Sequence, residues 1–189
     1  MLKRMMPLIL MVCLSSLLAL PATAGDHPKG GDHPQAGDHP KAAKAPTVEE
    51  QIAGMEKMCL ETADARGKRQ EEKSLHERLG GDEKIAQMFR NVLARHRVNE
   101  SIKHTMDGVD DDMLVEHLVE FVSAGTGGGA TYTGKSMPEA HRDMNLTDAD
   151  FLAAGGDIVA AMQEMEYGQN EIDEFICILV SLKGQVVFK

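Results

Sequence analysis

Two histidines sit where an imidazole meets apolar side chains. His141 lies in the stretch Ser136-Met137-Pro138-Glu139-Ala140-His141-Arg142-Asp143-Met144. Ser136 and Glu139 have the spacing of a capping box, and Pro138 falls in the first turn, where its missing N–H costs nothing, so the stretch predicts a short helix. Met137, Ala140 and Met144 keep helical spacing on it and put His141 on the apolar side. His117 keeps similar company, with Leu114, Leu118, Phe121 and Val122 on one predicted face. An imidazole so placed either bonds a carbonyl within the core or serves as the axial ligand of a flat, apolar, metal-bearing group.

Other chemistry is thinly represented. The chain has no HExxH, no G-x-S-x-G and no cysteine set at zinc spacing. Tetrahedral zinc would need two further ligands beside the two histidines. The glycine-rich run Gly125 to Gly134 follows no predicted strand and lacks GxxxxGK[ST], so phosphate binding is weakly signalled. An iron porphyrin asks for one or two imidazoles and an apolar slot, which is the inventory this chain offers.

The elements that must position these residues read as helices, with no sustained strand alternation between Ser74 and Lys189. Leu75 to Leu79 predicts a short helix stopped by Gly80-Gly81. Asp82 is then expected to cap a longer one bearing Ile85, Met88, Phe89, Val92 and Leu93. Asn99 to His104 predicts a short turn, and Asp110 to Asp112 place negative charge at the start of the helix that carries His117. After the His141 helix, Thr147 and Asp150 form a second capping box, opening a helix with Phe151, Ile158, Val159, Met162 and Met165 that should stop at Gly168. A last helix shows Ile172, Phe175, Ile176 and Leu179 and ends near Gly184.

The chain has 189 residues and a formal net charge of -10. That balance, with no basic stripe, argues against nucleic acid as a partner. Lys3 and Arg4 precede an apolar run from Met5 to Leu20 that ends in Pro21-Ala22-Thr23-Ala24, the pattern of a secretory signal peptide over 1–24. The expected protein is exported, periplasmic in a Gram-negative source, with no membrane segment after cleavage. Residues 25–46 follow as a low-complexity linker built on three Gly-Asp-His-Pro repeats. Cleavage after Ala24 would expose Gly25-Asp26-His27, whose amine, amides and His27 imidazole suit Cu(II) or Ni(II) in a square plane. A solvated tether is the plainer account of His27, His33 and His39. Residues 47–73 predict one charged amphipathic helix, capped by Thr47 and Glu50 and ended by Gly67 and the Lys68 to Lys73 charge run. Cys59 and Cys177 are the only cysteines after Ala24. An oxidising compartment permits a bridge between them, and two free thiols are equally compatible with the sequence.

The segment 74–189 resembles the group I truncated haemoglobins. The likeness runs from Leu75 to about Val187 through Leu-His-Glu-Arg-Leu-Gly-Gly, Gly-Gly-Gly-Ala-Thr-Tyr-Thr-Gly, Met-Pro-Glu-Ala-His and Leu-Thr-Asp-Ala-Asp-Phe, in the family's order and spacing. The resemblance implies an all-α, two-helices-over-two globin fold around one haem b, held non-covalently since no CxxCH is present. It makes His141 the proximal iron ligand. Phe121, Met137 and Phe151 match haem-lining positions, and Tyr132 matches the aromatic of the glycine loop. Leu93 and Leu118 stand where many members carry a tyrosine and a glutamine, Leu114 adds no donor, and Met106 replaces a wedging phenylalanine. His117 matches a position at which some cyanobacterial members coordinate iron from the distal side, giving two axial histidines; the competing placement is at the pocket mouth beside water or a propionate.

The function so implied is binding of oxygen, nitric oxide or carbon monoxide at histidine-ligated iron, with oxygen transport as the family's label. Electron transfer through bis-histidine haem to a redox partner competes with it, as do nitric oxide dioxygenase or peroxidase side activities. A non-catalytic haem or metal carrier using the His-Pro repeats is the reading from a different class.

Overall fold

The computed structural model describes residues 44–188. The expected signal peptide, most of the expected linker and His27, with the Cu(II) or Ni(II) site expected there, lie outside the described residues. Among those described, eight α-helices and one 3₁₀ turn form the structure, with no strand. The all-α expectation is met.

The N-terminal part differs from the single helix expected over 47–73. Thr47 caps α1 (Val48–Glu61) through the anticipated box with Glu50, but the helix breaks at Thr62 and α2 (Ala63–Glu72) follows. The Thr62 hydroxyl donates to the Met58 carbonyl at 2.8 Å, a back-bond of the kind that bends helices, while the Thr62 N–H keeps its own bond to that carbonyl. Gly67 lies inside α2 and ends nothing.

α3 (Leu75–Arg78) is a single capped turn. α4 (Gly81–His96) begins one residue before Asp82, which therefore sits within its first turn and is not the cap. Gly80 takes that place with φ of 93°, a conformation glycine adopts without a Cβ penalty. Asp82 instead accepts a bond from His76 Nε2 at 2.7 Å. The turn Lys103–Met106 leads to α5 (Asp111–Thr126), capped by Asp110. α6 (Met137–His141) is the short helix expected around His141. α7 (Asp148–Glu164) stops short of Gly168, and α8 (Gln169–Val186) runs past Gly184.

α4 packs on α5 and α7, and α7 packs on α8, so one pair of long helices lies over another. Their apolar stripes meet in one core that includes Ile85, Met88, Phe89, Val92, Ala161, Met162 and Phe175. α1 lies against α7 and α8. Cys59 of α1 and Cys177 of α8 are joined as a disulfide, with Cα atoms 5.4 Å apart, which decides the alternative the sequence left open.

α2, α3 and α8 are tied by charge. Glu174, only 5% exposed, takes Arg69 Nε at 2.5 Å and Arg78 Nη2, while Arg78 Nη1 reaches Glu171 at 2.7 Å. Burial works against the Arg78 charge, but the bonds from Glu174 and Glu171 outweigh it and raise its pKa. No helix among the described residues is long and apolar enough to cross a membrane.

Candidate functional site

α6 has only five residues, too few to be stable alone, and it is held by its own caps and by packing on α8. At its start, the Ser136 backbone N–H and hydroxyl donate to Glu139 Oε2 at 3.1 and 2.5 Å. The Ser136 hydroxyl, then its N–H, hold the Glu139 carboxyl below the ordinary range. At its end stands half-buried His141.

His141 Nδ1 lies 2.8 Å from the Met137 carbonyl oxygen. A carbonyl can only accept, so Nδ1 carries the proton of the neutral ring and Nε2 keeps a free lone pair. A second bond that fixes tautomer and ring angle is the usual accompaniment of a metal-ligating histidine. The core-histidine account explains Nδ1 and leaves Nε2 without a role.

The apolar residues expected around the group divide into two sets. Leu93 and Met106 are buried, at 4% and 5% exposure. Leu114, Leu118, Phe121, Tyr132, Met137 and Phe151 are only half-buried. Leu93, Met106, Leu114, Leu118 and Phe121 belong to or pack against the same core. Phe121 and Tyr132 meet edge to face with ring centroids 5.3 Å apart. Met137 contributes the carbonyl that orients His141. Phe151 stands in the first turn of α7, behind the Thr147 and Asp150 cap, where Thr147 N–H donates to Asp150 Oδ2 at 2.9 Å.

His117 is half-buried on α5, one turn before Glu120 and Phe121. Sequence reading passed over Glu120. Its Oε2 accepts from the Thr133 N–H at 3.0 Å and the Thr133 hydroxyl at 2.8 Å, pinning the glycine loop to α5. Those two bonds, followed by the charge of His117, lower the Glu120 pKa. The available signal was positional, since Glu120 follows His117 by three residues on one helix face.

This donor set fits an iron porphyrin. One imidazole has a committed Nδ1 and an available Nε2, and the half-buried side chains are apolar apart from the Tyr132 hydroxyl, which is bonded to the Lys135 carbonyl. Among the described residues, no group of three or more His, Cys, Asp or Glu gathers as a metal-ion site. Two cavities, of about 310 and 620 Å³, are found: one between α2 and α8 near Arg66 and Glu174, the other between α4 and α5 near Arg90, Glu116 and Glu120. Neither is lined by a histidine.

Comparison with known proteins bears on the same region. The bacterial-like globin family model matches residues 74–188. A group 1 truncated hemoglobin of Tetrahymena pyriformis is 30% identical over 105 residues, covering 53% of this chain and 84% of that protein. One from Mycolicibacterium paratuberculosis is 25% identical over 122 residues, covering 65% of this chain and 90% of its own. Among solved structures, the truncated hemoglobin of T. pyriformis in its Fe(III) form superposes with a TM-score of 0.57 at 24% identity, over 62% of this chain and 100% of that one, a likeness of fold. The 2/2 hemoglobin of a Synechococcus species, solved with covalently attached heme, gives 0.54 at 26% identity, over 60% and 94%.

Proposed function

Because residues 74–188 place this chain in the bacterial-like globin family, we propose that it is an exported haem protein that binds diatomic ligands at iron held by His141. The observation that carries the reading is the 2.8 Å contact between His141 Nδ1 and the Met137 carbonyl, which leaves Nε2 free as a donor. When bound, haem supplies an iron at which oxygen, nitric oxide or carbon monoxide coordinates. Leu114, Leu118, Phe121, Met137 and Phe151 are the side chains assigned to its faces. The haem is taken as haem b held non-covalently, since the chain has no CxxCH. The Synechococcus relative shows that attachment must be measured.

His117 would be the second residue to hold the iron. In support, Leu93, Leu114 and Leu118 offer neither ligand nor hydrogen-bond donor. A donor-free pocket stabilises the partial negative charge of bound oxygen poorly, while nitric oxide binds iron strongly without such donors. This favours nitric oxide chemistry or electron transfer over oxygen transport. Export is supported by the signal-like segment 1–24 and by the Cys59–Cys177 disulfide, a bond that persists in oxidising compartments.

The test is the full chain expressed with haem supply. A pyridine haemochrome assay should report haem b, extractable by acidified butanone. Ferric and ferrous spectra should be low-spin and six-coordinate, changing to high-spin in His117→Ala. A purified protein without haem would refute the haem reading, and a high-spin ferrous spectrum unaltered by His117→Ala would refute the distal ligand alone.

A further inference from the structure

Residues 127–136 form a strap between the helix that carries His117 and the helix that carries His141. Its departure is set by Gly127, which ends α5 with φ of 96°. It is then fastened to α5 at two points and braced once within itself. Glu120 Oε2 takes both the N–H and the hydroxyl of Thr133. The Tyr132 ring meets Phe121 edge to face, and its hydroxyl donates to the Lys135 carbonyl at 2.7 Å. Gly134 passes so close to this ring that a Cβ there would lie 2.5 Å from the Tyr132 oxygen, so the fold of the strap admits no larger residue without displacing Tyr132.

The strap enters α6 at once. Thr133 and Ser136 are three residues apart, at most about 10 Å of extended chain. A one-turn helix has little rigidity of its own, so where His141 sits depends on its packing against α8 and on its entry point. The carboxylate that fixes this entry lies on α5, three residues after His117.

We propose that Glu120 is a positioning residue for His141: by anchoring Thr133 it sets the entry of α6 and holds the imidazole where it ligates haem iron. The inference rests on the haem reading of His141 given above. Its effect is geometric, and needs an acceptor at Glu120 Oε2 but not a charge.

The experiment measures haem loss from the reconstituted full-length protein to excess apomyoglobin, alongside the urea midpoint of each apoprotein. Glu120→Ala should speed haem loss about tenfold, equivalent to about 1.4 kcal/mol, while the apoprotein midpoint moves little. Glu120→Gln keeps an acceptor oxygen and should restore slow loss. Thr133→Val removes only the hydroxyl and should speed loss less than Glu120→Ala, adding little to it in the double variant. Should Glu120→Ala fail to fold, Thr133→Val and Glu120→Gln carry the comparison. Unchanged loss rates in Thr133→Val and Glu120→Ala would overturn the positioning role, as would a failure of Glu120→Gln to rescue. A wild-type chain that holds no haem would instead overturn the reading beneath it.

Discussion

His141 donates from Nδ1 to the carbonyl of Met137, one turn earlier on the same helix. The bond closes within five residues, so ring orientation is set by α6 itself and only the placement of α6 depends on the rest of the fold. On the haem reading, His141→Ala should reduce haem retention by more than the roughly 10- to 100-fold typical of losing an outer-shell partner. In His141→Gly, added imidazole should restore the Soret band. Retention at the wild-type level in His141→Ala would remove His141 as the ligand.

The Cys59–Cys177 bond closes a long loop, with a sequence separation of 118. In the chain-entropy description such a loop stabilises the fold by about 4–5 kcal/mol. At roughly 2–4 °C per kcal/mol for a chain of this size, Cys59→Ser should lower Tm by about 10–15 °C. Thermal unfolding followed by circular dichroism, with and without dithiothreitol, checks this. The reductant should lower wild-type Tm toward that of the variant and leave the variant unmoved.

Arg78 bonds Glu174 and Glu171 where all three side chains are largely buried. Arg78→Ala leaves Glu174 with Arg69 as its remaining partner and Glu171 without its bond, and should cost about 1.5–3 kcal/mol in urea unfolding. Lys57→Ala breaks an exposed 3.8 Å pair with Glu61 and should change stability by less than about 1 kcal/mol.

Arg97 Nε meets Asp111 Oδ2 at 2.9 Å, and the guanidinium also donates to the Met106 and Val109 carbonyls. The bond from Arg97 holds the Asp111 carboxyl below its ordinary value. A lowered folded-state pKa contributes stability above the unfolded value, about 3.9, and loses it as pH falls through the lower, folded one. Wild type should therefore exceed Asp111→Asn in urea midpoint at pH 6, and the gap should narrow progressively as pH falls below the unfolded value. A gap that is the same at every pH down to full carboxyl protonation would show that the pair acts through geometry alone.

Helix order was legible because caps and apolar spacing agree: Thr47 with Glu50, Ser136 with Glu139 and Thr147 with Asp150 each open a helix where expected. Boundaries failed where a local feature departed from the pattern. One predicted helix became two at Thr62, where the back-bond lies, and the left-handed Gly80 moved a start away from Asp82. Spacing put Met137, Ala140 and Met144 on one face with His141, but α6 ends at His141, buries no residue and leaves Met144 exposed; the Nδ1 partner was not readable either, because a backbone carbonyl has no sequence signature. Glu120 and Thr133 are 13 positions apart across a loop of unpredictable path. The cysteine pairing likewise depended on α1 folding back on α8, which no local periodicity encodes.

Every candidate haem contact, from Leu93 to Phe151, lies between Cys59 and Cys177. The disulfide thus makes a covalent ring of the functional region, and one scission within a ring opens it without dividing it. The exposed Gly127, Gly128 and Gly129 offer a protease such a scission, between the helix of His117 and the helix of His141. A molecule cleaved there remains one covalent species bearing both histidines, separable into two fragments only after reduction.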